Sequence, residues 1–318
     1  MKNTEPAESP AQIWPLVTIN ILAFNRREEV RQTLGELQSV DYPREALEIL
    51  VVDNASSDGT GEMIAEEFPD VRVVTLAPNR AVAGWNAGFE AGRGEFFLVL
   101  DDDSAPQSGL KEAIVYLQEN PKVGILACNI VGGLFTTQKL KDGQKWVGFV
   151  GCGALIRREV VNSIGGYAPW IHLYAHEWEY GLRCLNAGFE IRYFQQCLIR
   201  HRASSVNRSS RLTVSYTTRN ELLIVFIYFG QRRTRYLVRT VLNNAWLWWN
   251  IAGRKSFVWV LEGLLMFLRT ASQHKHCVVR PPVQGVYART FWSTQPLLPR
   301  IAKKLARLGR RVSPFSGT

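Results

Sequence analysis

Five apolar runs of strand length open the chain: LVTINILAF (Leu16 to Phe24), LEILVVD (Leu47 to Asp53), VRVVTL (Val71 to Leu76), EFFLVLD (Glu95 to Asp101) and VGILACNIV (Val123 to Val131). Between them apolar residues recur at helical spacing, as Val30, Leu34 and Leu37, then Met63, Ile64 and Phe68, then from Ala81 to Ala91, then Leu110, Ile114 and Leu117. Runs with no polar face, separated by amphipathic helices, predict an α/β fold with a mainly parallel sheet and helices on both of its faces. Such sheets bind ligands beyond the carboxyl ends of their strands. Polar residues bunch at those ends: Asn25-Arg26-Arg27 after the first run, Asp53 to Thr60 after the second, and Asp101-Asp102-Asp103 after the fourth. One rim is expected to carry all three clusters.

The segment FFLVLDDDSAP (Phe96 to Pro106) sets the chemistry. Adjacent carboxylates at the end of a buried strand repel one another and raise one another's pKa, so a positive charge is expected among them, and a divalent cation is the simplest. In extended chain Asp101 and Asp103 point one way and Asp102 the other, so two carboxylates supply part of a metal shell that phosphate oxygens and water complete. The competing reading is a polar turn capping the next helix. Asp53 also ends a buried strand, where a carboxylate accepts a hydrogen bond from a base or a sugar, or forms an Asx turn with Ser56, Ser57 and Asp58.

The stretch HLYAHEWEYGLRCLNAGFEIRYFQQCLIRH (His172 to His201) predicts a helix through Tyr180, Cys184 and Ala187, stopped at Gly188, then a strand resuming at Ile191 to Phe194. Glu177 and Glu179 sit near the helix start, where the dipole favours negative charge. A base beside a bound acceptor requires a carboxylate in such a place, and Trp178 offers an aromatic face to a sugar ring. His201, after the strand, is either structural or the ligand that completes a cation's shell.

Charge divides the chain. Residues 1 to 200 carry 18 Lys and Arg against 26 Asp and Glu, whereas residues 201 to 318 carry 20 against 2, within a whole of formal charge +10. A basic C-terminal part attracts something anionic: phospholipid, nucleic acid or a phosphorylated substrate. Helices are expected over Tyr216 to Gly230, Gln231 to Asn250 and Lys255 to Ala271, and the longest apolar run, FVWVLEGLLMFL, has only twelve residues, too short to span a bilayer. RIAKKLARLGRRV aligns Ile301, Leu305, Leu308 and Val312 on one stripe among basic residues, a pattern suited to an anionic membrane surface.

The five scattered cysteines form no CxxC pair, which argues against a zinc site or disulfide framework and for a reducing compartment. The first dozen residues are polar and lack the pattern of a signal peptide. No GxxxxGK[ST] loop occurs and no GxGxxG follows a strand, so P-loop and dinucleotide-binding functions have no support. Two rivals stand: an aspartate-nucleophile phosphatase, because FFLVLDDDSA approximates an apolar strand followed by DxDx(T/V), and a nucleic-acid-binding protein using the basic segment. The aromatics of that segment cluster with aliphatics instead of interleaving with arginine, which weighs against the second.

ILVVDNASSDGT, NRAVAGWNAGFEAGRGEFFLVLDDDS, GALIRREVVNSIGGY, HEWEYGLRCLNAGF, a histidine ending the next strand, and YTTRNEL together resemble glycosyltransferase family 2, inverting enzymes of the GT-A fold. The resemblance runs over roughly residues 14 to 222. It implies that Asp53 binds the nucleotide base, that Asp101 contacts the ribose or the metal, that Asp103 ligates Mn2+ or Mg2+ on the donor diphosphate, that His201 completes that shell, and that Glu177 is the catalytic base. Asn25, Arg80 and Asp102 join the donor side, and Trp178 and His176 the acceptor side. The sequence departs from the family's Glu-Asp pair: its first acid is His176 here, and the base is a Glu, one methylene longer.

The EYGLR segment, with its preceding Trp, is similar to the galactofuranosyl-transferring branch, and a rhamnosyltransferase fits equally. The division implied is a leader at 1–13, a GT-A domain at 14–205 and a helical, basic region at 206–318. The implied reaction moves a hexosyl group from a nucleoside diphosphate sugar to a hydroxyl of a saccharide or lipid-linked saccharide in cell-envelope polysaccharide synthesis. The expected setting is cytoplasmic and peripheral, on the inner face of an anionic membrane, with no nucleic acid and with self-association left open.

Overall fold

The central strands are those whose two faces are both taken up by the protein. In β1 (Val17–Ala23), Val17, Ile19, Ile21 and Ala23 are buried on one side. Thr18 and Asn20 are buried on the other, where Thr18 Oγ1 donates to Glu48 Oε2 at 2.6 Å and Asn20 Nδ2 to the Trp85 carbonyl at 3.0 Å. Polar groups inside a sheet are tolerated on those terms, because each finds a partner. The computed structural model of the chain describes residues 13–132, 141–145, 148–202 and 209–293; the leader and the basic stretch at 301–312 lie outside the described residues.

Eight strands form one sheet in the order β3 (Arg72–Thr75), β2 (Leu47–Asp53), β1, β4 (Phe96–Asp101), β7 (Ala154–Arg157), β6 (Val123–Val131), β8 (Glu190–His201), β5 (Ser104–Ser108). β1 runs parallel to β2 and β4, β2 to β3, and β6 to β8. Two strands were not evident from the sequence. β7 is antiparallel to both β4 and β6, and β5 is antiparallel to β8 at the sheet's edge, the position that tolerates Pro106.

One face of the sheet is covered by α1 (Arg27–Leu37), α2 (Thr60–Glu67) and α4 (Leu110–Glu119) through Val30, Leu34, Leu37, Met63, Ile64, Leu110, Ile114 and Leu117. The other is covered by α3 (Trp85–Ala91), α5 (Arg158–Ile164) and α6 (His176–Asn186) through Trp85, Phe89, Val160, Tyr180 and Cys184. Each side chain of this size contributes about 1.5–3 kcal/mol on burial, so the two layers fix the sheet's position. Where a single helix was expected from Ala81, a 3₁₀ turn precedes α3.

Beyond β8 the described residues form four α-helices: α7 (Ser210–Tyr228), α8 (Arg233–Ala252), α9 (Ser256–Thr270) and α10 (Pro281–Ser293). α7 packs against both α8 and α9. A third apolar cluster joins Leu222, Leu223, Val225 and Phe229 to Ala175 and Leu182 around α6, and to Phe267, Val283 and Tyr287. The chain turns from α8 to α9 at Gly253, whose φ of +72° is left-handed and suits glycine.

Candidate active site

Register places the acidic clusters on one edge. Asp53 pairs with Ala23 across β2 and β1, and Leu22 pairs with Asp101 across β1 and β4, so Asp53 and Asp101 end strands two apart. At about 4.8 Å between strands their backbones stand roughly 10 Å apart. Asp53 is buried and accepts a hydrogen bond from the Ser56 amide at 2.9 Å, forming the expected Asx turn. Asn25, with φ of 51°, accepts from the Ser57 amide at 2.7 Å, while its own amide donates to Ser56 Oγ at 3.0 Å. Loops from β1 and β2 are thereby tied together. Arg80 is exposed at the same edge, its amide donating to Asn54 Oδ1 at 2.8 Å.

The strand stops at Asp101, and Asp102 and Asp103 occupy a turn instead of continuing as extended chain. The positive charge expected among them is partly the protein's own. Arg26 Nη1 donates to Asp102 Oδ1 at 2.7 Å and Nη2 to Asp103 Oδ2 at 3.0 Å. Burial works against the charge on Arg26, yet Asp102 and Asp103 hold its pKa above the ordinary value. Burial drives the Asp102 carboxyl well above the usual range, with Arg26 opposing and Asp101 and Asp103 adding to the rise. Asp101, at the mouth of the turn, is raised by burial and by Asp103, against the pull of His201 and His176.

His201 reaches this turn because β5 begins immediately after it: Ser104 pairs with His201 across the edge, and the Arg202 amide donates to the Asp103 carbonyl at 2.9 Å. Its Nε2 stands 3.1 Å from Asp103 Oδ1 and 3.9 Å from Asp101 Oδ2. One ligand atom each from Asp101, His201 and Cys152 lies within 4.8 Å of the others. Burial, together with Asp101, Asp103 and Glu177, carries the Cys152 thiol well above its ordinary pKa. Carboxylate oxygens and an imidazole suit Mn2+ or Mg2+, whereas a soft sulfur is a poor ligand for either. The donor set therefore fits such an ion through Asp101, Asp103 and His201, with Asp101 the more open of the two acids.

Glu177 stands in the first turn of α6, half-buried, where the dipole favours its charge. Its Oε1 accepts from the Gly151 amide at 3.1 Å, and its Oε2 lies 3.3 Å from His176 Nδ1. A Cβ at position 151 would stand 2.9 Å from His176 Nε2 and 3.0 Å from Glu177 Oε1, so only glycine fits there without displacing the pair. Asp101 feels the charge of Glu177, so Glu177 and the carboxylates after β4 lie close to one another.

His176 differs from expectation: it is buried, stacked on Trp85 at 5.7 Å and edge-on to Tyr167 at 5.1 Å, set to orient Glu177 more than to line an open groove. Trp178 is half-buried against Gly148 and Tyr287. Glu179 is fully buried, paired with Arg183 Nε at 2.7 Å and hydrogen-bonded by the Tyr228 hydroxyl, a structural role.

Residues 18–165 match the family described as Glycosyl transferase family 2. This chain carries a family 2 glycosyltransferase domain. It is similar to the Probable glycosyltransferase YdaM of Bacillus subtilis, with 29% identity over 210 residues that cover 57% of this chain and 49% of that protein. It is also similar to poly-beta-1,6-N-acetyl-D-glucosamine synthase of Staphylococcus epidermidis, with 26% identity over 206 residues that cover 53% of this chain and 48% of that one. The chain thus spans about half the length of these relatives. Among solved structures it resembles mannosyltransferase PcManGT from Pyrobaculum calidifontis in complex with GDP-Man and Mn2+, at 16% identity and a TM-score of 0.53, over 93% of this chain and 87% of that one. That likeness bears on the fold, which is GT-A.

Within the family 2 domain and its neighbouring helix, three contributors escaped the sequence reading. Arg26 had a signal, since it adjoins Asn25 and three carboxylates demanded a counter-charge. Gly151 had none. Asn220 lies inside YTTRNEL: its Nδ2 donates to the carbonyls of Leu173 at 2.6 Å and Tyr174 at 2.9 Å, while Arg219 Nη1 donates to the Trp170 carbonyl at 2.9 Å. Tyr174 and Ala175 hold left-handed φ of 66° and 61°, a conformation that costs non-glycine residues about 1 kcal/mol or more each. Asn220 pins that turn, and with it the point where α6 starts and Glu177 projects.

Proposed function

We propose that the chain is an inverting, metal-dependent hexosyltransferase that moves a sugar from a nucleoside diphosphate sugar to a hydroxyl of a saccharide or lipid-linked saccharide in cell-envelope polysaccharide synthesis, at the inner face of the membrane. The observation that carries this reading is the meeting of Asp101, Asp103 and His201 with Glu177 at the carboxyl edge of a GT-A sheet. Asp53 and Asn25 hold the nucleoside, and Arg80 lies where it can approach the phosphates. Asp101, Asp103 and His201 would hold Mn2+ or Mg2+, which would supply positive charge to stabilise a departing diphosphate.

Glu177 takes the proton of the acceptor hydroxyl as that oxygen attacks the anomeric carbon on the side opposite the diphosphate, so the C–O bond to the carrier breaks as the new glycosidic bond forms. The Gly151 amide holds Oε1 of Glu177, and His176 lies beside Oε2, so the carboxylate's position is restricted. Arg26 keeps Asp102 and Asp103 in place when no donor is present. A thermal-stabilisation panel of nucleoside diphosphate sugars tests this reading. One donor should raise the melting temperature only with Mn2+ or Mg2+ present, and Asp101→Asn should abolish that rise; a panel that gives no metal-dependent stabilisation defeats it.

A further inference from the structure

Helix α8 buries polar side chains beside the partly buried Tyr236, Leu237 and Val241, and exposes apolar side chains among its arginines. Thr240, Asn243 and Asn244 are at most 4% exposed, whereas Val238 and Leu242 are exposed by 54% and 53%. At about 100° per residue, Val238 and Leu242 fall opposite Thr240 and Asn243 on the helix. The buried side forms a hydrogen-bonded network: Asn244 Nδ2 donates to Glu221, while Thr218 Oγ1 and Trp248 Nε1 donate to Asn244 Oδ1 at 3.3 and 3.1 Å. Helix α9 continues the outer side. Val258, Leu261, Leu265 and Leu268 are exposed by 68%, 54%, 44% and 61% and fall on one stripe about 80° wide. Val260, Gly263 and Phe267 are buried on the reverse side, Gly263 against α7. Both apolar stripes therefore face away from α7, joined near the turn by the Trp249 and Phe257 rings, 5.9 Å apart.

Helices with hydrogen-bonded polar side chains inside and aliphatic ones outside have the polarity of chains whose surroundings are hydrocarbon. Among the described residues no helix is long and apolar enough to cross a membrane. Exposed Arg235, Arg239, Arg254, Lys255 and Arg269 flank the stripes. The sole acid on the two helices, Glu262, is engaged by Arg211 at 2.7 and 2.9 Å. A second copy of the chain docking here through a two-fold axis would bring like-charged rims together, which costs affinity. An anionic lipid leaflet meets both requirements, with acyl chains for the stripes and headgroup phosphates for the cations.

We infer that the outer side of α8 and α9 is a bilayer-embedded face, lying in the plane of an anionic leaflet with its leucines among the acyl chains. This surface is apart from the rim of carboxylates, and its occupancy does not depend on the transfer reaction. Co-sedimentation of the full chain with vesicles of phosphatidylcholine, with or without about one-third phosphatidylglycerol, tests it. The chain should partition onto the anionic vesicles. Leu261→Asp with Leu265→Asp should lower the partition coefficient at least tenfold, and Arg254→Gln with Lys255→Gln and Arg269→Gln should erase the preference for phosphatidylglycerol.

Both variants should keep the parent's melting temperature and its metal-dependent stabilisation by a donor, which separates a failure of this face from a failure of the catalytic reading. Equal partitioning of parent and leucine variant overturns the inference. So does light scattering that shows a parent oligomer, dissociated by the leucine substitutions, with no affinity for vesicles.

Discussion

At the carboxyl edge of the sheet, charge is drawn inward: Asp102, Asp103 and His201 are buried, and each has a charged neighbour that accounts for it. Along α8 the reverse holds, with amides and a hydroxyl inside and Val238 and Leu242 outside, and α9 extends the exposed apolar side with its leucines. Both arrangements depart from the usual rule of apolar interior and polar surface. On the readings proposed above, buried charge is prepared for a charged ligand and exposed hydrocarbon for lipid. The two regions also differ in how they stay satisfied. The edge uses ion pairs that a bound cation and diphosphate are suited to extend, whereas the helices use a closed network of neutral groups around Glu221.

The strongest way to break the contrast is at Glu177. Replacing it with Gln keeps the Gly151 hydrogen bond but removes the base, so turnover should fall by about 10²- to 10⁴-fold while donor binding persists. A Glu177→Gln enzyme with near-normal transfer, measured by product formation under saturating donor, would mean that the charge gathered at the edge serves binding alone.

Glu221 offers a test of the neutral network. Burial lifts its pKa from the ordinary 4.5 to about 7, against a hydrogen bond from Asn244. The folded state thus holds this proton more tightly than the unfolded chain, so the associated stability is present below pH 4.5 and is lost as pH rises from 4.5 to about 7. Glu221→Gln carries no charge at any pH. It should unfold much like the parent at pH 5 and be more stable by up to about 3 kcal/mol at pH 8, read from denaturant melts. If parent and variant respond to pH alike, the helical interior accommodates a carboxylate and the contrast with the edge narrows.

Asn220 gives a smaller effect and sharpens the link between the regions. Asn220→Ala leaves two carbonyls without their donor, at about 1–3 kcal/mol of stability. Because the turn before α6 then relaxes, kcat should fall about tenfold, equivalent to roughly 1.4 kcal/mol, with little change in KM for the donor. A loss of stability with kcat intact would reduce Asn220 to a packing residue.

The sheet's parallel strands were legible because Phe97 to Leu100, or Leu50 to Val52, leave no face for water, and strand ends follow from that. The acids at those ends were legible for the same reason. β5 was hidden because SAPQS is short, polar and carries a proline, and it becomes a strand only by pairing with β8. β7 was hidden inside GALIRREVV, where a four-residue strand runs straight into α5. The ion pairs of Arg26 span 76 and 77 positions, and the contact of Gly151 with Glu177 spans 26. No local pattern reports such partners. The reversed polarity of α8 escaped because periodicity shows that one side is apolar without showing which side the fold turns inward.

Helix α7 belongs to both regions at once. Its Asn220 clasps the turn before α6, while Thr218 and the backbone of Ser215 form the seat against which Gly263 of α9 rests. The chain is therefore not severable at the seam after His201: a fragment ending there would keep every carboxylate of the cleft yet forfeit the clasp that aims one of them. If the proposed lipid face and the proposed base are both right, one rigid rod sets height above the lipid and aim of Glu177, and an acceptor anchored in the leaflet would meet that carboxylate at a fixed reach.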